Sequence, residues 1–111
     1  MQKKNKKLRL ANNALRSIVD RIREGYFPEK IILFGSLSTG KINASSDIDI
    51  MVIKKTTKNP WDRMKDIDCF VDHEFPVDFL VYTPSEIKNR IEDGDVFVKD
   101  ILEHGKIVYE K

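Results

Sequence analysis

A chain of 111 residues, 41% hydrophobic and 34% charged, carries material for one soluble domain with a single modest core, and too little for two. Its 20 basic and 18 acidic residues leave a formal charge of +2, too balanced to mark a nucleic-acid binder, and no apolar run reaches the roughly 18–20 residues that span a bilayer. One cysteine, Cys69, excludes an internal disulfide and a cysteine-based zinc site, so core packing is its expected role; the basic start "MQKKNKKLRLANNALR" lacks the apolar stretch of a signal peptide, and a cytoplasmic location is the simplest expectation.

No repeat, low-complexity tract or long Pro/Gly/Ser linker divides the chain, so a single domain over 1–111 is expected, with a solvated basic tail over about residues 1–7. From Leu8, the apolar positions Ala11, Leu15, Ile18, Val19 and Ile22 recur at helical spacing, and Gly25 is placed to end that helix. "KIILFG" reads as a short buried strand stopped by glycine, and "SDIDIMVIKK" reads as a second. Between them "GSLSTGKINAS" is a polar loop in which Ser36 to Thr39 can form a helical turn and Gly40 a reversal. Pro60 begins a helix, "WDRMKDIDCFVDHE", whose expected inward positions are Trp61, Met64, Ile67 or Cys69, and Val71; Pro76 closes it. "VDFLVYT" is a third strand, a helix starts at Pro84 and ends near Gly94, another stops at Gly105, and Ile107 to Tyr109 form a last strand. The expected fold class is therefore α+β (α/β): a small mixed central sheet with helices packed on it.

Two acidic residues interrupt the second strand. Residues two apart on a strand share a face, so Asp47 and Asp49 project together while Ile48, Ile50 and Val52 point the other way. Held that close, two carboxylates repel unless a cation lies between them, and oxygen ligands favour magnesium or manganese. A lone D-x-D is more often the solvent-exposed start of a strand. Two further features count against that plainer reading. Asp78 interrupts the third strand, so a neighbouring strand can present another carboxylate, and Gly35-Ser36 directly after the first strand offers backbone N–H groups and a hydroxyl for phosphate.

These residues resemble the nucleotidyltransferases of the DNA polymerase β superfamily, especially its minimal members. The family pattern is Gly-Ser, ten residues, then Asp-x-Asp; here Gly35-Ser36 is followed by the ten residues Leu37 to Ser46 and then Asp47-Ile48-Asp49. The resemblance implies a polymerase β-like fold and transfer of a nucleoside monophosphate from an NTP, ATP being expected, to an acceptor hydroxyl with release of pyrophosphate. Asp47, Asp49 and Asp78 would be the catalytic residues and the ligands of two Mg²⁺ or Mn²⁺ ions, and Gly35 and Ser36 would grip the phosphates. One departure is visible: many relatives carry a basic residue just before the second loop glycine, where this chain has Thr39, followed after Gly40 by Lys41.

A chain this short leaves little surface to enclose an acceptor. Minimal members are similar to antitoxins paired with a helical HEPN toxin, which implies adenylyl transfer to a tyrosine of that partner. The competing expectation is a non-catalytic module of the same fold that binds a partner; a small-molecule acceptor would need a second copy, a homodimer, to build its pocket. Nucleic acid and membrane are not expected partners. His73 and His104 lack paired ligands at metal-binding spacing and are expected on the surface, Trp61, Phe70, Phe75 and Phe97 in the core or on a partner-facing patch, and Tyr82 in a structural position.

Overall fold

The computed structural model describes residues 3–39, 47–71 and 75–111. Gly40, Lys41 and His73 lie outside the described residues. Four strands, β1 (Lys30–Phe34), β2 (Ile48–Ile53), β3 (Val77–Tyr82) and β4 (Lys106–Glu110), form one sheet in the order β3-β2-β1-β4. β1 runs antiparallel to both β2 and β4, whereas β2 and β3 are parallel, so the sheet is mixed as expected. The parallel pair is joined through α2 (Pro60–Asp68), the crossover that parallel strands require.

Strand alternation divides the apolar residues between two faces. Ile31, Leu33, Ile48, Ile50 and Val52 pack against Ala11, Ile18 and Ile22 of α1 (Lys3–Tyr26) and against Ile67 of α2. Ile32, Met51 and Ile53 meet Val98 and Ile101 of α4 (Val96–His104), with Leu80, Tyr82 and Ile87 of α3 (Pro84–Glu92) at the margin. The second cluster is the smaller, and it stops short of the N-terminal ends of β2 and β3. Ile50, at the centre of the larger cluster, is fully buried. Ile50→Ala is therefore expected to cost about 2–4 kcal/mol, readable as a lowered midpoint in urea.

Several elements depart from their sequence reading. α1 begins at Lys3 rather than Leu8, and it runs through Gly25 to Tyr26. It ends where Phe27 takes a left-handed conformation (φ 56°) ahead of Pro28, so an aromatic residue fills the terminating position usually given to glycine. Gly25 serves packing instead: a Cβ there would overlap the Phe70 ring, which leans on Tyr26 with centroids 6.1 Å apart. On α2, Trp61 is 72% exposed and Met64 faces solvent; the inward residues are Ile67 and Arg63, one turn apart. Cys69 is exposed rather than packed in the core, because it caps the helix at its surface end with its thiol 3.7 Å from the Lys65 carbonyl.

Candidate active site

The register places the acidic residues side by side. Asp49 stands directly opposite Phe34 of β1 and, on the other side, directly opposite Asp78 of β3. Paired residues share a face, so Asp78, Asp49 and Phe34 form a row on the face covered by α3 and α4; Phe34 packs against that face's apolar cluster, and the two aspartates lie beyond it. Asp47 precedes β2 by one residue and lies half-buried beside the row, while Asp78 is exposed. An aspartate on this strand is tolerated because the helical cover ends before it. Ile48 and Ile50, on the opposite face of the same strand, are fully buried.

The electrostatics of Asp49 follow from that row. Its pKa is raised above the ordinary carboxylate value, first by burial and then by the negative charges of Asp78 and Asp47. Among the described residues no lysine or arginine pairs with any of the three. Among the same residues no three acidic, histidine or cysteine side chains are drawn tightly enough to form a metal cluster already. Three hard oxygen donors, one of them crowded by like charge, nevertheless suit Mg²⁺ or Mn²⁺ in kind, since a divalent cation would relieve the repulsion that the fold imposes.

Gly35 is fixed by the same carboxylate. Its φ of 75° disfavours any L side chain, and a Cβ there would overlap Asp49 Oδ2 and lie 3.1 Å from Asp49 Cγ. The chain thus passes from β1 into the 3₁₀ turn Ser36–Thr39 with its backbone pressed against Asp49. Gly35→Ala is expected to lower stability by about 1–2 kcal/mol from backbone conformation alone and to displace Asp49 as well, which thermal melting with and without Mn²⁺ would register as a lower midpoint and a smaller metal response.

Ser36 opens the turn and is half-buried. Ser38 donates its N–H (3.2 Å) and hydroxyl (2.7 Å) to the Gly35 carbonyl, and the Thr39 hydroxyl donates to the Ser36 carbonyl at 2.9 Å. Thr39 therefore holds the turn together and brings no positive charge to it. His104 lies on the exposed face of α4 with its ring nitrogen 3.0 Å from Asp100 Oδ1, far from a ligand arrangement. Tyr82 is half-buried beneath the Arg90 guanidinium, 4.9 Å from its ring centroid, which is the structural position expected. Phe97 meets Phe34 edge-on at 6.0 Å and closes the α4 side of the row; it is about half exposed.

Sequence reasoning missed Arg63 and its partner. Arg63 is 5% exposed, and its guanidinium donates to both Glu86 carboxylate oxygens (2.7 and 3.1 Å), to the Lys58 carbonyl (2.8 Å) and to the Val81 carbonyl (3.3 Å). Glu86 also accepts from the Thr83 N–H at 2.9 Å, while Thr83 Oγ1 accepts from the Glu86 N–H at 3.1 Å. Arg63, bonded to Glu86 of this capping box and to the Val81 carbonyl, ties α2, β3 and α3 into one unit behind the strand that carries Asp78. The Thr-x-x-Glu half was readable as a helix start. Nothing in an amphipathic helix pattern announces a buried arginine.

A model of the polymerase β nucleotidyltransferase domain matches residues 16–111. The chain belongs to that family. Nucleotidyl transfer is the general activity of the family, and its domains use an NTP and divalent metal ions. The crystal structure, at 1.40 Å resolution, of a Sulfolobus solfataricus protein provisionally described as a nucleotidyltransferase superposes with a TM-score of 0.72. That match covers 100% of this chain and 90% of the other at 21% identity, a likeness of fold alone. No curated protein sequence matches the chain significantly. Among the described residues of this nucleotidyltransferase domain, no helix is long and apolar enough to cross a membrane.

Proposed function

We propose that the domain transfers AMP from ATP to a hydroxyl of a protein partner, a tyrosine of a HEPN-type toxin being the acceptor that its resemblance to minimal antitoxin members favours. The observation that carries the reading is geometric: Asp49 sits opposite Asp78 in the sheet, with Asp47 beside it and the Gly35 backbone packed on its carboxylate. Asp47, Asp49 and Asp78 would hold two Mg²⁺ or Mn²⁺ ions. Those ions, when bound, neutralise the triphosphate and favour an ionised acceptor. Gly35 and Ser36 orient the terminal phosphates from the end of β1, on one side of the row. Asp78 stands on the other side, where its carboxylate takes the acceptor proton. The roles are positioning and charge neutralisation, which rigid strands supply better than loops.

Incubation of the protein with ATP, Mg²⁺ and a co-purified partner, read by mass spectrometry, tests the reading. An adenylyl adduct on a tyrosine of the partner, absent with Asp47→Asn, is the expected result. A stable complex that never acquires an adduct would refute it. That outcome favours the second reading, a binding module of the same fold, for which Thr39 speaks: its hydroxyl is committed to the Ser36 carbonyl and brings no positive charge to a triphosphate.

A further inference from the structure

We propose that the acceptor is presented as an extended polypeptide that adds as a strand along the outer edge of β3 and carries its hydroxyl residue to Asp78. The inference rests on the nucleotidyl-transfer reading and concerns the shape of the second substrate.

β3 is an edge strand, hydrogen-bonded to β2 alone in the sheet. The carbonyls of Pro76 and Tyr82 accept from the Ile48 N–H (3.0 Å) and the Lys54 N–H (2.9 Å) of the β2 side. With a period of two along the strand, the N–H and C=O groups of Val77, Phe79 and Val81 therefore point outward. Only the Val81 carbonyl is engaged among the described residues, by Arg63. What remains is a backbone ladder open to another extended chain.

Two hollows of about 420 Å³ each lie along this ladder. The first takes in Val71, Phe75 and Asp78; the second takes in Tyr82 and Arg90; Met64 and Phe79 line both. Each is walled by consecutive β3 residues that belong to opposite faces of the sheet, so each opens at the strand's edge, the first beside α2 and the second between α2 and α3. Side chains at alternate positions of an added strand would enter them. The opposite edge of the sheet is guarded differently, by charged Lys106 and Glu110 at the ends of β4 and a Lys30–Glu110 ion pair at 3.2 Å. Val77–Tyr82 contains no lysine or proline to deter pairing.

Charge narrows the occupant. At the far end of the groove, Arg90 is matched by Asp95 at 3.0 Å, whereas at the near end Asp78, beside Asp49, has no cation partner among the described residues. A fitting segment carries lysine or arginine next to its hydroxyl residue and apolar residues beyond. In the transfer, the hydroxyl oxygen bonds to Pα as the bond from Pα to the oxygen bridging the β-phosphate breaks. Pyrophosphate leaves with that electron pair, and the hydroxyl proton passes to the Asp78 carboxylate.

The test uses a library of capped peptides of about seven residues, centred on tyrosine, serine or threonine, with ATP labelled at the α-phosphate and Mn²⁺. N-acetyltyrosinamide is the single-residue control, and Mn²⁺–ATP affinity is measured separately. The expected result is labelling of a lysine- or arginine-bearing subset at least about tenfold above the control, together with slowed hydrogen exchange at the Val77 and Phe79 amides when such a peptide is added. Met64→Lys, a change at a solvent-facing residue shared by both hollows, should cut peptide labelling about tenfold or more while the Mn²⁺–ATP affinity moves less than twofold. Equal labelling of the single-residue control, labelling untouched by Met64→Lys, or no labelled peptide from a protein that binds Mn²⁺–ATP each overturn the proposal. A dimer that Met64→Lys converts to monomer assigns the edge to a second copy and overturns it too. A wild-type protein that binds no Mn²⁺–ATP is a different failure: it removes the nucleotidyl-transfer reading itself, and this inference falls with it.

Discussion

Asp49→Asn is expected to abolish nucleotidyl transfer, by at least about 10²-fold, while leaving the metal-free protein as stable as the wild type or more so at pH 7. The reason lies in the sign of the shift at Asp49. Burial and the charges of Asp78 and Asp47 raise its pKa on folding, so between the ordinary carboxylate value of about 3.9 and the raised one the native chain binds more protons than the unfolded chain. Ionised Asp49 therefore opposes folding. That cost is absent below the unfolded value and complete above the folded one, and asparagine removes it. Melting curves across pH should show the variant at or above the wild type near neutrality, with the gap closing in acid. Added Mn²⁺ should reverse the order, because the wild type gains the larger binding free energy, about 2.7 kcal/mol at a metal concentration 100 times its Kd. A variant less stable than the wild type at pH 7 without metal would contradict this account of the site.

Glu86→Ala is expected to be the most destabilising single change outside the apolar core, by about 3–5 kcal/mol. It strands the Arg63 guanidinium, which is 5% exposed, with only the Lys58 and Val81 carbonyls for company, and it removes the half of the α3 capping box in which the Glu86 carboxylate accepts from the Thr83 N–H. Arg63→Ala should cost less, because Glu86 keeps a side chain about one-third exposed and hydrated. The pH dependence is opposite to that of Asp49. The hydrogen bonds from Arg63 lower the Glu86 pKa, so the stabilisation is complete above the ordinary glutamate value of about 4.3 and is lost as the pH falls through the lowered one. Urea titrations of wild type and Glu86→Ala should therefore converge in acid. Equal midpoints for the two proteins at pH 7 would mean that this buried pair holds nothing together.

The sheet and the acidic residues of the candidate site were legible because each left a local trace. The apolar runs of β1, β2 and β3 fixed three strands, and the interruptions at Asp49 and Asp78 became meaningful once alternation was applied, since an acid in a buried strand demands a reason. The direct opposition of Asp49 and Asp78 was not legible, because register between strands separated by a whole helix is set by tertiary packing. α2 misled for a related reason. Its apolar residues Trp61 and Met64 occupy the outer face, and one of its two buried positions, Arg63, is a charged residue whose partner lies on another helix, which no periodicity reveals. Gly25 misled because glycine near a helix end has two uses, termination and close approach, and here the Phe70 ring claimed the second.

The central claim, that the carboxylate row and the Gly35–Ser36 turn form one metal-dependent nucleotide site, is tested most directly by isothermal titration of ATP, GTP, CTP and UTP in Mg²⁺ or Mn²⁺, repeated with Asp49→Asn. The account predicts saturable, metal-dependent binding, strongest for ATP, that the variant loses by at least about tenfold. Binding that is indifferent to metal, or that survives unchanged in Asp49→Asn, would contradict it.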